Sequence, residues 1–92
     1  MSSWTFITNH GAVLAFIGRH DRITARDIAT ELGITERSVL RIIKDLETDG
    51  YINKQRVGRM NRYKVNREVP LRRREGRDVV VDDLLKVLGN EL

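Results

Sequence analysis

The spacing of apolar residues changes several times along the chain, and each change marks a new element. Val13, Leu14 and Ile17 recur at helical intervals with His10 one turn earlier. This predicts a first helix capped by Thr8 or Asn9 and ended by Gly18 or His20. Ile23-Thr24 then reads as a minimal strand. Thr24, with Asp27 three residues on, approximates a capping box for a second helix from Ala25 to Leu32, with Ile28, Ala29 and Leu32 on its inner face. Gly33 supplies backbone freedom at that helix end, Ile34 plugs the turn, and Thr35 caps a third helix running to about Thr48. In it Val39, Ile42, Ile43 and Leu46 fall at i, i+3, i+4 and i+7 and must face inward, leaving Glu36, Arg37, Leu40, Arg41 and Lys44 on the wet stripe. Gly50 stops the helix. Tyr51 to Val57 and Arg62 to Asn66 then read as strands around a Gly58-Arg59-Met60-Asn61 turn, with Ile52, Tyr63 and Val65 turned inward.

Past Asn66 the pattern lapses. Pro70 breaks any strand, Arg72-Arg73-Arg74 is a charge run read as a solvated linker, and Gly76 adds freedom. Asp78 can cap a last helix in which Val81, Leu84, Leu85 and Leu88 repeat at helical spacing, closed by Gly89. Trp4 and Phe6 are too large to leave wet, so they pack on the core or on a second subunit. The order of elements predicts a mainly α fold with a small β-hairpin (α+β): a winged helix-turn-helix with an extra C-terminal helix. Residues 1–70 form the domain, 71–77 a basic linker and 78–92 the added helix.

Composition agrees with that size and sharpens the function. Ninety-two residues make one domain, and 40% hydrophobic with 33% charged content belongs to a folded, soluble protein. Without Cys there is neither a disulfide framework nor a thiolate metal site. The longest apolar run, Ala12 to Ile17, is far short of the roughly 20 residues that span a bilayer, and no basic leader precedes it, so a cytoplasmic location is expected. The formal charge of +4 is unevenly spread: Thr35 to Arg74 holds 12 Lys or Arg against 5 acids, a net of +7, and the remainder 5 against 8, a net of −3. Tyr51 to Arg67 carries six cations and no acid. Such clustering points to a polyanion. Nucleic acid is favoured over membrane, because no basic amphipathic helix with bulky apolar anchors accompanies it, and over a merely solvated surface.

The third helix is the candidate reader, since a helix entering a major groove about 12 Å wide brings several side chains to base edges. Thr35 and Ser38 can bond phosphates or bases, Arg37 and Arg41 have the planar fork that matches guanine, and Lys44 suits phosphate. Glu36 either favours the helix dipole or accepts from cytosine. Leu40 either meets a thymine methyl or fills a gap near the hairpin. The hairpin candidates Lys54, Arg56, Arg59, Asn61 and Arg62 should position the protein along a backbone or minor groove rather than specify sequence. Thr24 and Arg26, beside free amides of the second helix, are a possible phosphate seat. No cofactor, metal or catalytic constellation is present: His10 reads as a first-helix packing residue, His20 as a helix C-terminal cation, and Asp82-Asp83 as first-turn acids. A winged helix that docks another protein is the chief rival, but its third-helix face would be apolar or mixed. RNA binding lacks the paired aromatics that stack on bases.

Leu32-Gly33-Ile34-Thr35-Glu36-Arg37-Ser38-Val39, then Asp45-Leu46-Glu47 and Asp49-Gly50-Tyr51-Ile52, resemble the helix-turn-helix of MarR-type and related bacterial winged-helix regulators. Trp4-Thr5-Phe6-Ile7-Thr8-Asn9-His10 and Gly58-Arg59-Met60-Asn61-Arg62-Tyr63 further resemble their small stand-alone members, so the likeness covers about residues 4 to 71. It implies dimeric, sequence-specific binding of double-stranded DNA through the third helix and wing, as a transcription regulator. The long flanking helices and ligand pocket of full-length MarR regulators are largely missing, which leaves a small-molecule effector open. Candidates for the homodimer contact are Trp4, Phe6, Val81, Leu84, Leu85 and Leu88, packing within the chain or across a two-fold axis.

Overall fold

A computed structural model describes residues 7–20, 22–70 and 80–88. In chain order it holds α1 (Asn9–Arg19), α2 (Ala25–Leu32), α3 (Glu36–Thr48), the antiparallel strands β1 (Ile52–Val57) and β2 (Met60–Val65), and α4 (Val81–Val87). This is a winged-helix fold, mainly α with one hairpin, as the pattern predicts.

The three leading helices are set by local chemistry. Thr8, not Asn9, caps α1 by accepting from the Gly11 amide, and His20, not Gly18, closes it. At α2 the capping box is complete: Thr24 accepts from the Asp27 amide at 3.1 Å, and the Asp27 carboxylate accepts from the Thr24 amide at 3.2 Å. Those bonds hold the Asp27 carboxyl below its ordinary pKa. They also explain why Ile23-Thr24 is not the strand that was expected. Thr24 is extended, but its amide is committed to Asp27 and not to a sheet, which remains two-stranded. Gly33, at φ +68°, ends α2 in the left-handed conformation that only glycine adopts without strain. Thr35 then caps α3 through the Ser38 amide.

The hairpin is tighter than expected. Val57 pairs directly with Met60, so the turn is Gly58-Arg59 alone, and Met60 and Asn61 belong to β2. Within this turn positive φ falls on Gly58, the first central residue, and not on Arg59, which is the II′ pattern. Asn66 anchors the hairpin root: its amide donates to the Tyr51 carbonyl, and its side chain donates to Gly50 and accepts from Asn53.

The last helix begins later than expected. Val80, not Asp78, occupies the cap position, with no side-chain bond. The amides of Val81 and Asp82 instead donate to the carbonyls of Val69 at 2.9 Å and Arg67 at 2.7 Å. Pro70 forms an isolated antiparallel bridge with Val80, while Asp78, Gly89 and the linker cations Arg72 to Arg74 lie outside the described residues. The core joins Val13, Leu14 and Ile17 of α1 with Ile28 and Ala29 of α2 and the four inward residues of α3. Tyr51 and Ile52 close it at the hairpin root, Val81 and Leu85 from α4. Burying each large aliphatic contributes about 1.5–3 kcal/mol, so α4 is a structural wall of the domain. Tyr51, not expected inside, is buried with its hydroxyl on the Pro70 carbonyl.

Candidate nucleic-acid interface

The side chains of α3 divide as the periodicity demands. Val39, Ile42, Ile43 and Leu46 are buried, while Glu36, Arg37, Leu40, Arg41 and Lys44 are exposed. Among the described residues no acid pairs with Arg37, Arg41 or Lys44, so three cations stand on one helical face with their donors free. Leu40 is 49% exposed. The two hydroxyls at the helix start are linked: Thr35 accepts from the Ser38 amide and donates to the Ser38 hydroxyl at 2.8 Å. Thr35 is thus engaged in its cap, and Ser38 keeps its own hydroxyl hydrogen to donate outward.

His10 corrects one expectation. It is not a packing residue: it is exposed, and its Nε2 lies 2.9 Å from Asp45 Oδ2. The contact ties the first turn of α1 to the outer flank of α3 and borders a shallow cleft that Asn9, Ser38 and Arg41 also line. A partner 35 residues away leaves no trace in local spacing.

The register sorts the hairpin. Directly opposed residues share a face, so Ile52 with Val65, Lys54 with Tyr63, and Arg56 with Asn61 form the core-side face. The outer face carries Asn53 with Lys64, Gln55 with Arg62, and Val57 with Met60. Arg56 and Arg62 therefore project from opposite faces and do not form one row. Arg59 sits in the turn between them, and the Arg56 Nε donates to the Gly58 carbonyl. Tyr63 is half-buried beneath the ribbon, and burial pushes its phenol pKa up. None of Lys54, Arg56, Arg59, Arg62 or Lys64 makes an ion pair with a described residue.

The remaining candidates divide. Thr24 is occupied by its reciprocal bonds to Asp27, which leaves exposed Arg26 at that helix end. Val81 and Leu85, offered as intrachain or dimer contacts, are fully buried in the chain's own core. Leu84 and Leu88 are half-buried, and Val87, which the pattern did not single out, is 83% exposed. Trp4 and Phe6 lie outside the described residues. Among the described residues no three His, Asp or Glu gather as metal ligands, and no helix is long and apolar enough to cross a membrane.

Comparison with known proteins bears on this geometry directly. The solved structure of MepR, a transcription regulator of the Staphylococcus aureus multidrug efflux pump MepA, aligns with a TM-score of 0.57 and 26% identity, covering 66% of this chain and 48% of that one. An uncharacterised protein of Methanocaldococcus jannaschii is 32% identical over 66 residues, 71% of this chain. The chain spans about half the length of the first and 14% of the second. Residues 8–53, half of the chain and the segment from the α1 cap to the start of β1, match the winged helix-turn-helix DNA-binding family. The chain belongs to that winged helix-turn-helix DNA-binding family.

Proposed function

We propose that this chain is a sequence-specific, double-stranded-DNA-binding transcription regulator of the small, stand-alone MarR-like type, working in the cytoplasm as a homodimer. In this reading α3 enters the major groove. Arg37 and Arg41 address base edges, Ser38 a base or phosphate, and Lys44 the backbone. Lys54, Arg56, Arg59, Asn61 and Arg62 follow the backbone or the minor groove, and Arg26 adds a phosphate contact. The observation that carries the reading is the unpaired Arg37, Arg41 and Lys44 stripe on a helix whose opposite side is wholly buried. An adaptor's stripe would be apolar or mixed, whereas this one is carried by Arg37, Arg41 and Lys44, with Leu40 its one apolar member. Dimerisation rests on Leu84, Val87 and Leu88, which α4 leaves partly or wholly outside the core. Two-fold symmetry calls for a palindromic operator with half-sites about one helical turn apart.

The test is a titration against random and selected duplexes at two salt concentrations, with an acidic peptide as control. Tight, salt-steep binding to the selected duplex is expected, because each neutralised phosphate releases counterions. Equal affinity for the peptide and the duplex would overturn the DNA reading. Sedimentation that stays monomeric at tens of micromolar, within the range of a weak dimer, would overturn the homodimer.

A further inference from the structure

The tip of the hairpin is apolar where water should meet it. Val57 and Met60 face each other across Gly58-Arg59, 52% and 49% exposed, on the outer face of the ribbon. The core lies against the other face, through Ile52, Val65 and Tyr63. Contact between the two tip side chains accounts for only the sides they turn toward each other, and a pair of threonines would keep the strand while suiting water better. The outward sides are bare. The ribbon that carries the pair is charged in one sense only: it holds Arg56, Arg59, Arg62 and Lys64, with no acid from Tyr51 to Arg67. The surface therefore fits a polyanion that also offers an apolar slot.

Two polyanions meet that description, and magnitude separates them. An anionic bilayer requires far more apolar area than a valine and a methionine, since even a whole myristoyl chain, at about 0.8 kcal/mol per CH₂, binds only marginally. Duplex DNA requires little: one slender apolar side chain entering between two base pairs suffices to part them and bend the helix. Methionine, unbranched and polarisable, is shaped for a slot of that kind.

We infer that the Val57 and Met60 tip is a wedge that enters the minor groove of duplex DNA and partly unstacks one base step, so that the chain reads the deformability of its site as well as base edges. The inference rests on the proposed DNA-reading function. Unstacking costs least at pyrimidine–purine steps and most in stiff A-tracts. Sequence preference should therefore exist at a step that no hydrogen-bonding side chain touches.

Two duplexes of equal length and composition test this, one with TA steps and one with an A-tract beneath the wing, each labelled at both ends for energy transfer. The intact chain is expected to bend the TA duplex and to prefer it by about tenfold. Met60→Thr should bring the preference to within about twofold and straighten the DNA with the salt slope unchanged, whereas Met60→Leu keeps both. A wild-type preference of one, a preference that Met60→Thr retains, or unbent DNA would overturn the wedge. So would Met60-dependent self-association in the absence of DNA. If Met60→Thr fails to fold, Val57→Thr carries the same comparison with the same two outcomes. Absence of binding to either duplex would instead sink the DNA reading itself, a result distinct from binding without bending.

Discussion

α3 and the hairpin both present cations to solvent, yet the fold holds them in opposite ways. Four buried side chains, Val39, Ile42, Ile43 and Leu46, fix α3 along its 13 residues. Of the twelve strand residues only Ile52 is fully buried, with Tyr63 and Val65 packed partly against the core, so the tip is a cantilever. Their charge differs as well. α3 sets Arg37, Arg41 and Lys44 among Glu36, Asp45 and Glu47, whereas the hairpin has cations alone. A rigid, mixed-sign helix suits bidentate contacts, which fail when misplaced, and it discourages adhesion to any polyanion. The hairpin's cations supply affinity that depends on salt and little on base identity, apart from any step its apolar tip enters. The difference teaches that two basic surfaces in one small domain can divide recognition between reading and holding.

The largest effect expected lies in the anchor of the reader. Ile43→Ala should cost about 2–5 kcal/mol of stability, read as a lower urea midpoint. Gln55→Ala, on the exposed ribbon, should stay within about 0.5 kcal/mol. Equal losses would mean that the hairpin is no cantilever. Next comes Arg37→Ala, expected to cost about 1–3 kcal/mol at one base position and to relax preference there. An identical loss on random duplex would erase the contrast between reader and holder. Thr35→Ala should follow at about 1 kcal/mol of stability through its lost cap, with base preference preserved, since its hydroxyl is already bonded to Ser38. Arg59→Ala should weaken binding to every sequence alike and lower the salt slope by about one.

The same contrast explains what could be read along the chain. The boundaries of α1, α2 and α3 were legible because caps and periodicity are local: Thr8, the pair of Thr24 and Asp27, Gly33 and Thr35 each act within a few residues. The hairpin was harder, since turn length, register and facing depend on Gly58 taking positive φ, and Gly58-Arg59-Met60-Asn61 allows more than one turn. Hence the sequence does not say that Arg56 and Arg62 project from opposite faces, or that Val57 and Met60 oppose each other at the tip. The beginning of α4 was illegible for a different reason. Its first amides are satisfied by carbonyls of Arg67 and Val69, more than ten residues earlier in the chain, where no side-chain cap marks the start. The contact between His10 and Asp45 is non-local in the same sense.

The smallest effect expected concerns the root of the cantilever. Just past β2, Arg67 Nη1 lies 3.0 Å from Asp82 Oδ1, and Lys86 Nζ lies 3.0 Å from Asp82 Oδ2. The Lys86 ammonium, and after it the Arg67 guanidinium, hold the Asp82 carboxyl below its ordinary value of 3.8. A carboxylate whose pKa is lower in the folded chain binds fewer protons there, so its contribution is complete above the unfolded value and fades as pH falls through the folded one. Wild type should therefore exceed Asp82→Asn in stability by a constant margin at neutral pH. That margin should narrow only below the ordinary value of 3.8, as urea midpoints along a pH series would report. Asp27, also lowered and bonded to Thr24, is present in both chains and cancels from the difference. Because Arg67 ties the hairpin root to α4 while Arg37 stands on α3, Asp82→Asn should leave base preference unchanged. Altered preference in a folded Asp82→Asn chain would mean that the hairpin root steers the reader, and the division between reading and holding would have to be abandoned.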